Sequence, residues 1–151
     1  EILLGAGTVL DPETARIALL EGAQFVVSPC LNLETVRLCN RYRVAVMPGA
    51  MSVAEVVACM EAGADIVKVF PGELFGPGII KSILGPLPQA KLMPTGGVNV
   101  DNAAQWIANG AVALGAGSSL TAGAKTGDYT AVTRTARAFL AAIARAREVG
   151  A

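Results

Sequence analysis

Residues 61–72 read Glu-Ala-Gly-Ala-Asp-Ile-Val-Lys-Val-Phe-Pro-Gly, and their order decides the fold. Gly63 stands where a helix would end, because glycine readily enters the left-handed conformation that closes a last turn. The apolar run from Ile66 to Phe70 follows at once and stops at Pro71, the pattern of a short strand. Glu21-Gly22-Ala23-Gln24-Phe25-Val26-Val27 repeats this succession, and Asn109-Gly110-Ala111-Val112-Ala113-Leu114 repeats it again. The chain is therefore built from a recurring helix, glycine and strand.

Working outward from that unit, strands are predicted at Ile2–Gly7, Gln24–Pro29, Val44–Gly49, Asp65–Pro71, Lys91–Gly97 and Ala111–Ser118. Helices are predicted between and after them, at Pro12–Glu21, Leu33–Arg41, Val53–Ala62, Gly78–Leu84, Asp101–Ala108 and Tyr129–Arg147. Asp11 before Pro12, Asn32 before Leu33, and Ser52 paired with Glu55 are good helix starts, the last spaced as a capping box. Strand starts recur at about 22 residues, a length that suits compact βα units with short loops. Helical crossovers of this kind imply a parallel sheet.

Six βα units fit either an open doubly wound sheet or an incomplete (βα)₈ barrel. Regular spacing and the recurring cap glycine favour the barrel, as do two glycine-rich loops in the last units, where barrels often bind phosphate. The expectation is an α/β fold: a TIM barrel lacking its first two βα units, with residues 1–151 as one partial domain. The chain opens on Glu1 and runs straight into a strand-like segment, which looks trimmed. Two further units would bring the total to about 195–200 residues, the lower end of the barrel range.

Composition narrows the chemistry. The 151 residues are 53% hydrophobic and 16% charged, too apolar for a disordered chain. With 12 basic and 12 acidic side chains there is no large basic footprint, so nucleic acid is not an expected partner. No apolar run approaches the roughly 20 residues of a membrane span, and no membrane partner is expected. Three cysteines without metal-like spacing fit reduced thiols and a cytoplasmic setting. The absence of histidine leaves lysine, carboxylates, hydroxyls and backbone groups to carry any reaction.

Lys68 is the sharpest candidate, because it interrupts the apolar run of its strand. Alternation places Ile66, Lys68 and Phe70 on one face and Val67 and Val69 on the other. Both faces of a parallel barrel strand are covered, so the ammonium loses hydration and its pKa falls. A neutral amine near pH 7 is the nucleophile of Schiff-base chemistry. A bland alternative stays open: an end-of-strand lysine can snorkel to water, or hold an anionic substrate without covalent chemistry.

The second constellation is Pro94-Thr95-Gly96-Gly97-Val98-Asn99 after one strand and Gly115-Ala116-Gly117-Ser118-Ser119 after the next. Glycines admit an anion close to the backbone, and N–H groups at a helix start supply donors. Thr8, closing Gly5-Ala6-Gly7-Thr8, offers a hydroxyl for a carboxylate or merely caps a turn. Cys30 reads as inert packing, and Glu73 as a helix-start residue near Lys68.

These segments, with Ser28-Pro29, Met47-Pro48-Gly49 and Val67-Lys68-Val69-Phe70-Pro71-Gly72-Glu73, resemble in order and spacing the bacterial 2-keto-3-deoxy-6-phosphogluconate (KDPG) aldolases. That family also contains 4-hydroxy-2-oxoglutarate (KHG) aldolases. The resemblance spans all 151 residues, and its joint Lys-x-Phe-Pro and Pro-Thr-Gly-Gly motifs are specific. It implies a class I aldolase on a TIM barrel, needing no cofactor and no metal. Lys68 matches the Schiff-base lysine. Thr8 and Thr95 match threonines of the pyruvate pocket, and Phe70 matches the aromatic beside the lysine. Gly96, Gly97, Gly117 and Ser118 match the phosphate-binding positions.

The resemblance also implies a phosphorylated keto acid as substrate and a homo-oligomer, commonly a trimer. The family's general base, a glutamate on the second strand, and the arginine that binds the carboxylate have no matching position here. Glu1 falls on the wrong strand, and Glu73 is an unproven substitute. The 151-residue chain by itself is therefore expected to turn over poorly, and its open sheet edges to favour self-association. Two rival readings are another phosphate-binding barrel, of the phosphosugar isomerase or thiamine-phosphate synthase type, and a non-catalytic barrel fragment serving as an assembly scaffold.

Overall fold

A computed structural model describes residues 2–149; Glu1, whose place relative to the strands was weighed above, lies outside them. The chain divides into two compact units, residues 1–70 and 71–151.

The first unit contains helices α1 (Pro12–Leu20), α2 (Leu33–Tyr42) and α3 (Val53–Glu61), with strands β1 (Phe25–Val27), β2 (Ala45–Met47), β3 (Gly49–Ala50) and β4 (Val67–Val69). All pairings are parallel: Val26 lies opposite Val46, and Lys68 opposite Gly49. The expected strand Val44–Gly49 is split at Pro48, which has no N–H to place in a ladder but whose carbonyl accepts from Lys68 N at 2.9 Å. Val9, Val26, Val36, Cys39 and Val46 pack into a core with Ala15. Each buried valine in such a cluster contributes about 1.5–3 kcal/mol by leaving water.

Three helix starts behave as their sequences require. Asp11 accepts from Thr14 N, Asn32 accepts from Thr35 N at 2.9 Å, and Ser52 with Glu55 forms a full capping box. The recurring glycine also does what the repeat implied. Gly22 and Gly63 have φ of +97° and +89°, and the alanine after each returns a hydrogen bond to a carbonyl five residues back. Arg43 fills the same place after α2 with φ of +57°, a conformation that strains a residue bearing a Cβ.

The second unit contains a short 3₁₀ turn (Gly72–Leu74), α4 (Gly78–Leu84), β5 (Leu92–Pro94), α5 (Val100–Ala108), α6 (Ser118–Thr121), a further 3₁₀ turn (Ala122–Thr126) and α7 (Tyr129–Val149). Helices α5 and α7 pack together, with Ala103, Trp106, Phe139 and Ala142 buried. Gly110, with φ of +103°, ends α5 as Gly22 and Gly63 end their helices.

Two expected strands need correction. Ile2–Gly7 is present as a single bridge, Ala6 to Val26, with Gln24 holding Leu4 by both its backbone and its side chain. Ile2, Leu3 and Leu4 are exposed, so the apolar run that suggested a strand has nothing packed on it among the described residues. Ala111–Ser118 likewise reduces to one bridge, Gly115 to Thr95, and its small residues have little side chain to pack on a pleated surface. Ser118 is the first residue of α6, not the last of a strand. The strands expected at Gln24–Pro29, Asp65–Pro71 and Lys91–Gly97 are trimmed at both ends, and α7 runs two residues past the expected Arg147.

Candidate active site

Lys68 sits in the middle of β4, where Val67 and Val69 are also buried. Strand alternation with both faces covered accounts for this: every side chain of the strand leaves water. Lys68 is 8% exposed. Burial lowers the pKa of its ammonium from the ordinary 10.5, because a charged group loses more hydration than a neutral one. Its Nζ lies over the Phe70 ring, 4.3 Å from the centroid. Lys81, Lys91 and Lys125 are exposed, so none of them shares this environment.

In the first unit Thr8 and Ser28 each lie two residues beyond the bridged pair Ala6–Val26, and Gly49 lies opposite Lys68. Thr8 is exposed and has φ of +58°, which threonine rarely adopts. Strain of this kind persists where surrounding structure holds it, and Val9 N does so by donating to Val27 O at 3.2 Å. The Thr8 hydroxyl makes no hydrogen bond to Lys68 among the described residues. Gly49 is required because a Cβ there would run into the Pro29 carbonyl. Cys30 is exposed; Cys59, buried, has its thiol pushed up to about 11 by desolvation and is inert as a nucleophile near neutral pH.

In the second unit the two glycine loops are neighbours. Thr95 bridges Gly115, Gly115 N donates to Pro94 O at 2.8 Å, and Ser119 Oγ donates to Val98 O at 2.6 Å. Gly96, Gly97, Gly117 and Ser118 are thus held on adjacent loops. Gly97 has φ of +68°, and a Cβ added there would lie 2.7 Å from Glu73 Cβ. A Cβ on Gly96 would meet chiefly the carboxylate end of the Glu73 side chain, which can move, so it is Gly97 that is held close to the Glu73 backbone. Gly72 N donates to Thr95 O at 2.8 Å and completes that contact. The Thr95 hydroxyl is buried with no hydrogen-bond partner among the described residues, as are the Thr35 hydroxyl and the Trp106 indole N–H.

Sequence reasoning missed three parts of this arrangement. Ser119, not Ser118, ties the loops together. Asn99 and Asn102 form a capping box on α5, and Asn102 Nδ2 also donates to Gly97 O at 2.8 Å. The box was legible, since Asn at both positions can serve it. Glu73 acts as the template for the glycine pair, which no spacing rule announces. Among the described residues no cluster of three or more His, Cys, Asp or Glu is placed to hold a metal ion. No helix among them is long and apolar enough to cross a membrane.

A buried lysine in a parallel strand and paired glycine turns at strand ends are features of an α/β protein. The chain belongs to the KDPG and KHG aldolase family, whose family model matches residues 1–135. A 2-dehydro-3-deoxy-phosphogluconate aldolase of Treponema pallidum is 40% identical over 137 residues, 88% of this chain and 65% of that protein. The chain thus spans less than two thirds of that relative's length. A native KDPGal structure is 35% identical with a TM-score of 0.90, over 97% of this chain and 70% of that one. A KDPG aldolase from Legionella pneumophila, with pyruvate captured at low pH as a covalent carbinolamine intermediate, is 28% identical. Its TM-score is 0.82, over 95% of this chain and 68% of that one.

Proposed function

We propose that this chain carries the nucleophile and the phosphate-binding loops of a class I aldolase. Its substrate is 2-keto-3-deoxy-6-phosphogluconate, cleaved to pyruvate and glyceraldehyde 3-phosphate, with 4-hydroxy-2-oxoglutarate as a second substrate. The observation that carries the reading is Lys68: a lysine 8% exposed, in the interior of a strand, with its pKa lowered by burial. A lowered pKa raises the share of neutral amine, the form that attacks a ketone.

The Lys68 amine adds to the C2 carbonyl of the substrate, and loss of water leaves an iminium. Removal of the C4 hydroxyl proton then breaks the C3–C4 bond, whose electrons move into the iminium. Glyceraldehyde 3-phosphate leaves, and the resulting enamine takes a proton to become pyruvate on hydrolysis. Thr8 and Thr95 each match a threonine that binds the keto acid in the family, and the Thr95 hydroxyl has no hydrogen-bond partner among the described residues. Gly96, Gly97, Gly117 and Ser118 offer backbone N–H groups to the phosphate.

The residues read best as six units of an eight-unit TIM barrel, in line with the share of the Treponema relative that they span. The family's base glutamate and carboxylate-binding arginine would then lie on a segment outside these 151 residues. The working protein is a homo-oligomer, by family resemblance a trimer. A coupled assay for pyruvate release from the phosphorylated keto acid tests the reading. The expected outcome is turnover when these residues are joined to a segment that supplies the base and the arginine, and none when the same protein carries Lys68→Met; equal turnover by both would overturn it.

A further inference from the structure

Phe70 stands two residues beyond Lys68 on the same face of the chain, and its half-buried ring lies beneath the Lys68 nitrogen at 4.3 Å from the centroid. Among the described residues of the first unit, no carboxylate forms an ion pair with that nitrogen. An aromatic face carries the negative lobe of its quadrupole, so it attracts a cation placed over it. Where such a contact is shielded from water it gains strength. Lys68 is shielded, being 8% exposed. The ring is therefore the group in the first unit seen to face the charge on Nζ.

We propose that the Phe70 ring stabilises the positively charged forms of the reacting nitrogen over its neutral forms, and so sets the balance between iminium and carbinolamine. The inference rests on the lysine-imine reading above and assigns it a further residue with an electronic role. The charges follow from the steps. When the neutral amine adds to the keto carbon, an N–C bond forms, a proton passes from nitrogen to oxygen, and the carbinolamine is uncharged. A second proton, from solvent or a nearby acid, leaves with that oxygen as water. The nitrogen lone pair closes the C=N bond and leaves the iminium positive. Cleavage of C3–C4 sends its electron pair toward nitrogen, and the enamine is neutral again. The ring favours the iminium at each of these changes, whereas a residue that merely fills space would not discriminate among them.

Fluorination of the ring tests this without changing its shape much, since each fluorine withdraws density from the face. Phe70 is replaced in the otherwise intact protein by its mono-, di- and trifluoro analogues, and pyruvate labelled with ¹³C at C2 is added. The ratio of iminium to carbinolamine is read by NMR, and borohydride trapping with mass analysis identifies the lysine that carries the adduct. The expected result is a Lys68 adduct whose iminium-to-carbinolamine ratio falls stepwise, about tenfold across the series. A Lys68 adduct with a ratio indifferent to fluorine would overturn the role of the ring while leaving the aldolase reading intact. No covalent adduct at Lys68 in the unsubstituted protein would overturn that reading, and this inference with it.

Discussion

Strand β4 and the turn at Thr95–Gly97 are built on opposite principles. In β4 the useful feature is a side chain: Lys68 is held by a ladder on its backbone and by burial of its neighbours, Val67 and Val69. In the turn the useful feature is the lack of side chains: Gly96 and Gly97 adopt left-handed φ, and Gly97 lies against Glu73 with no room for a Cβ. The first region fixes one reactive atom in a dry setting. The second takes a left-handed turn shape that favours a glycine pair. The chemistry and the anion binding proposed for these two regions should therefore fail in different ways when they are disturbed, and that difference can be measured.

The largest effect is expected at the lysine. Lys68→Met keeps the length and apolar stem but removes the nucleophile, and in protein joined to the segment that supplies the base, steady-state assays should show kcat/KM reduced by about 10⁴-fold or more. At the turn, Gly97→Ala forces a Cβ into a left-handed conformation, which costs about 1–2 kcal/mol. If that strain is relieved by moving the loop, affinity for a phosphorylated ligand should fall by about tenfold. Binding of unphosphorylated pyruvate should change little, and calorimetry with the two ligands separates these outcomes. An equal loss for both would erase the contrast between the regions.

A pH dependence sharpens the same contrast. Burial lowers the Lys68 pKa below 10.5, so between the folded value and 10.5 the unfolded chain binds more protons than the folded one. The contribution of this position to stability therefore rises with pH through that window. Lys68→Met removes the penalty, and its Tm should exceed that of the parent at pH 7 by a margin that shrinks as the pH nears 10.5. The raised thiols of Cys39 and Cys59 are common to both proteins and cancel in the difference. A margin that grew with pH would contradict burial as the cause.

The smallest effect lies where glycine geometry serves no chemistry. Helices α1, α3 and α5 are closed by Gly22, Gly63 and Gly110 with positive φ, and α2 by Arg43 at +57°. Arg43→Gly should relieve that strain, offset in part by the greater freedom of glycine in the unfolded chain, for a net gain of about 0.5–1 kcal/mol. Urea denaturation reads it, and a loss of stability would mean that the Arg43 side chain holds contacts worth more than its strain.

The repeat of helix, glycine and strand was legible because one backbone conformation, φ above +80° at Gly22, Gly63 and Gly110, excludes most other residues. Lys68 was legible for a similar reason, since a charge in an apolar run needs an explanation. The outer strands were not. Ile2–Leu4 has strand-forming residues but no packed face, and the ladder of Ala111–Ser118 is limited by small residues to a single bridge. What joins the glycine loops also escaped, because the Ser119 hydroxyl reaching Val98 O and the Glu73 template both depend on tertiary placement across some 20 residues. The distance between Lys68 Nζ and the Phe70 ring follows from alternation only as a shared face, not as a contact.

The central claim is that Lys68 forms a covalent bond to the keto carbon of the substrate. Incubation of the protein with pyruvate and borohydride, followed by peptide mass analysis, tests it most directly. The account predicts an irreversible mass increase equal to reductively attached pyruvate on the peptide bearing Lys68, absent without borohydride. Catalytically active protein with an unlabelled Lys68, or with the label on another lysine, would contradict it.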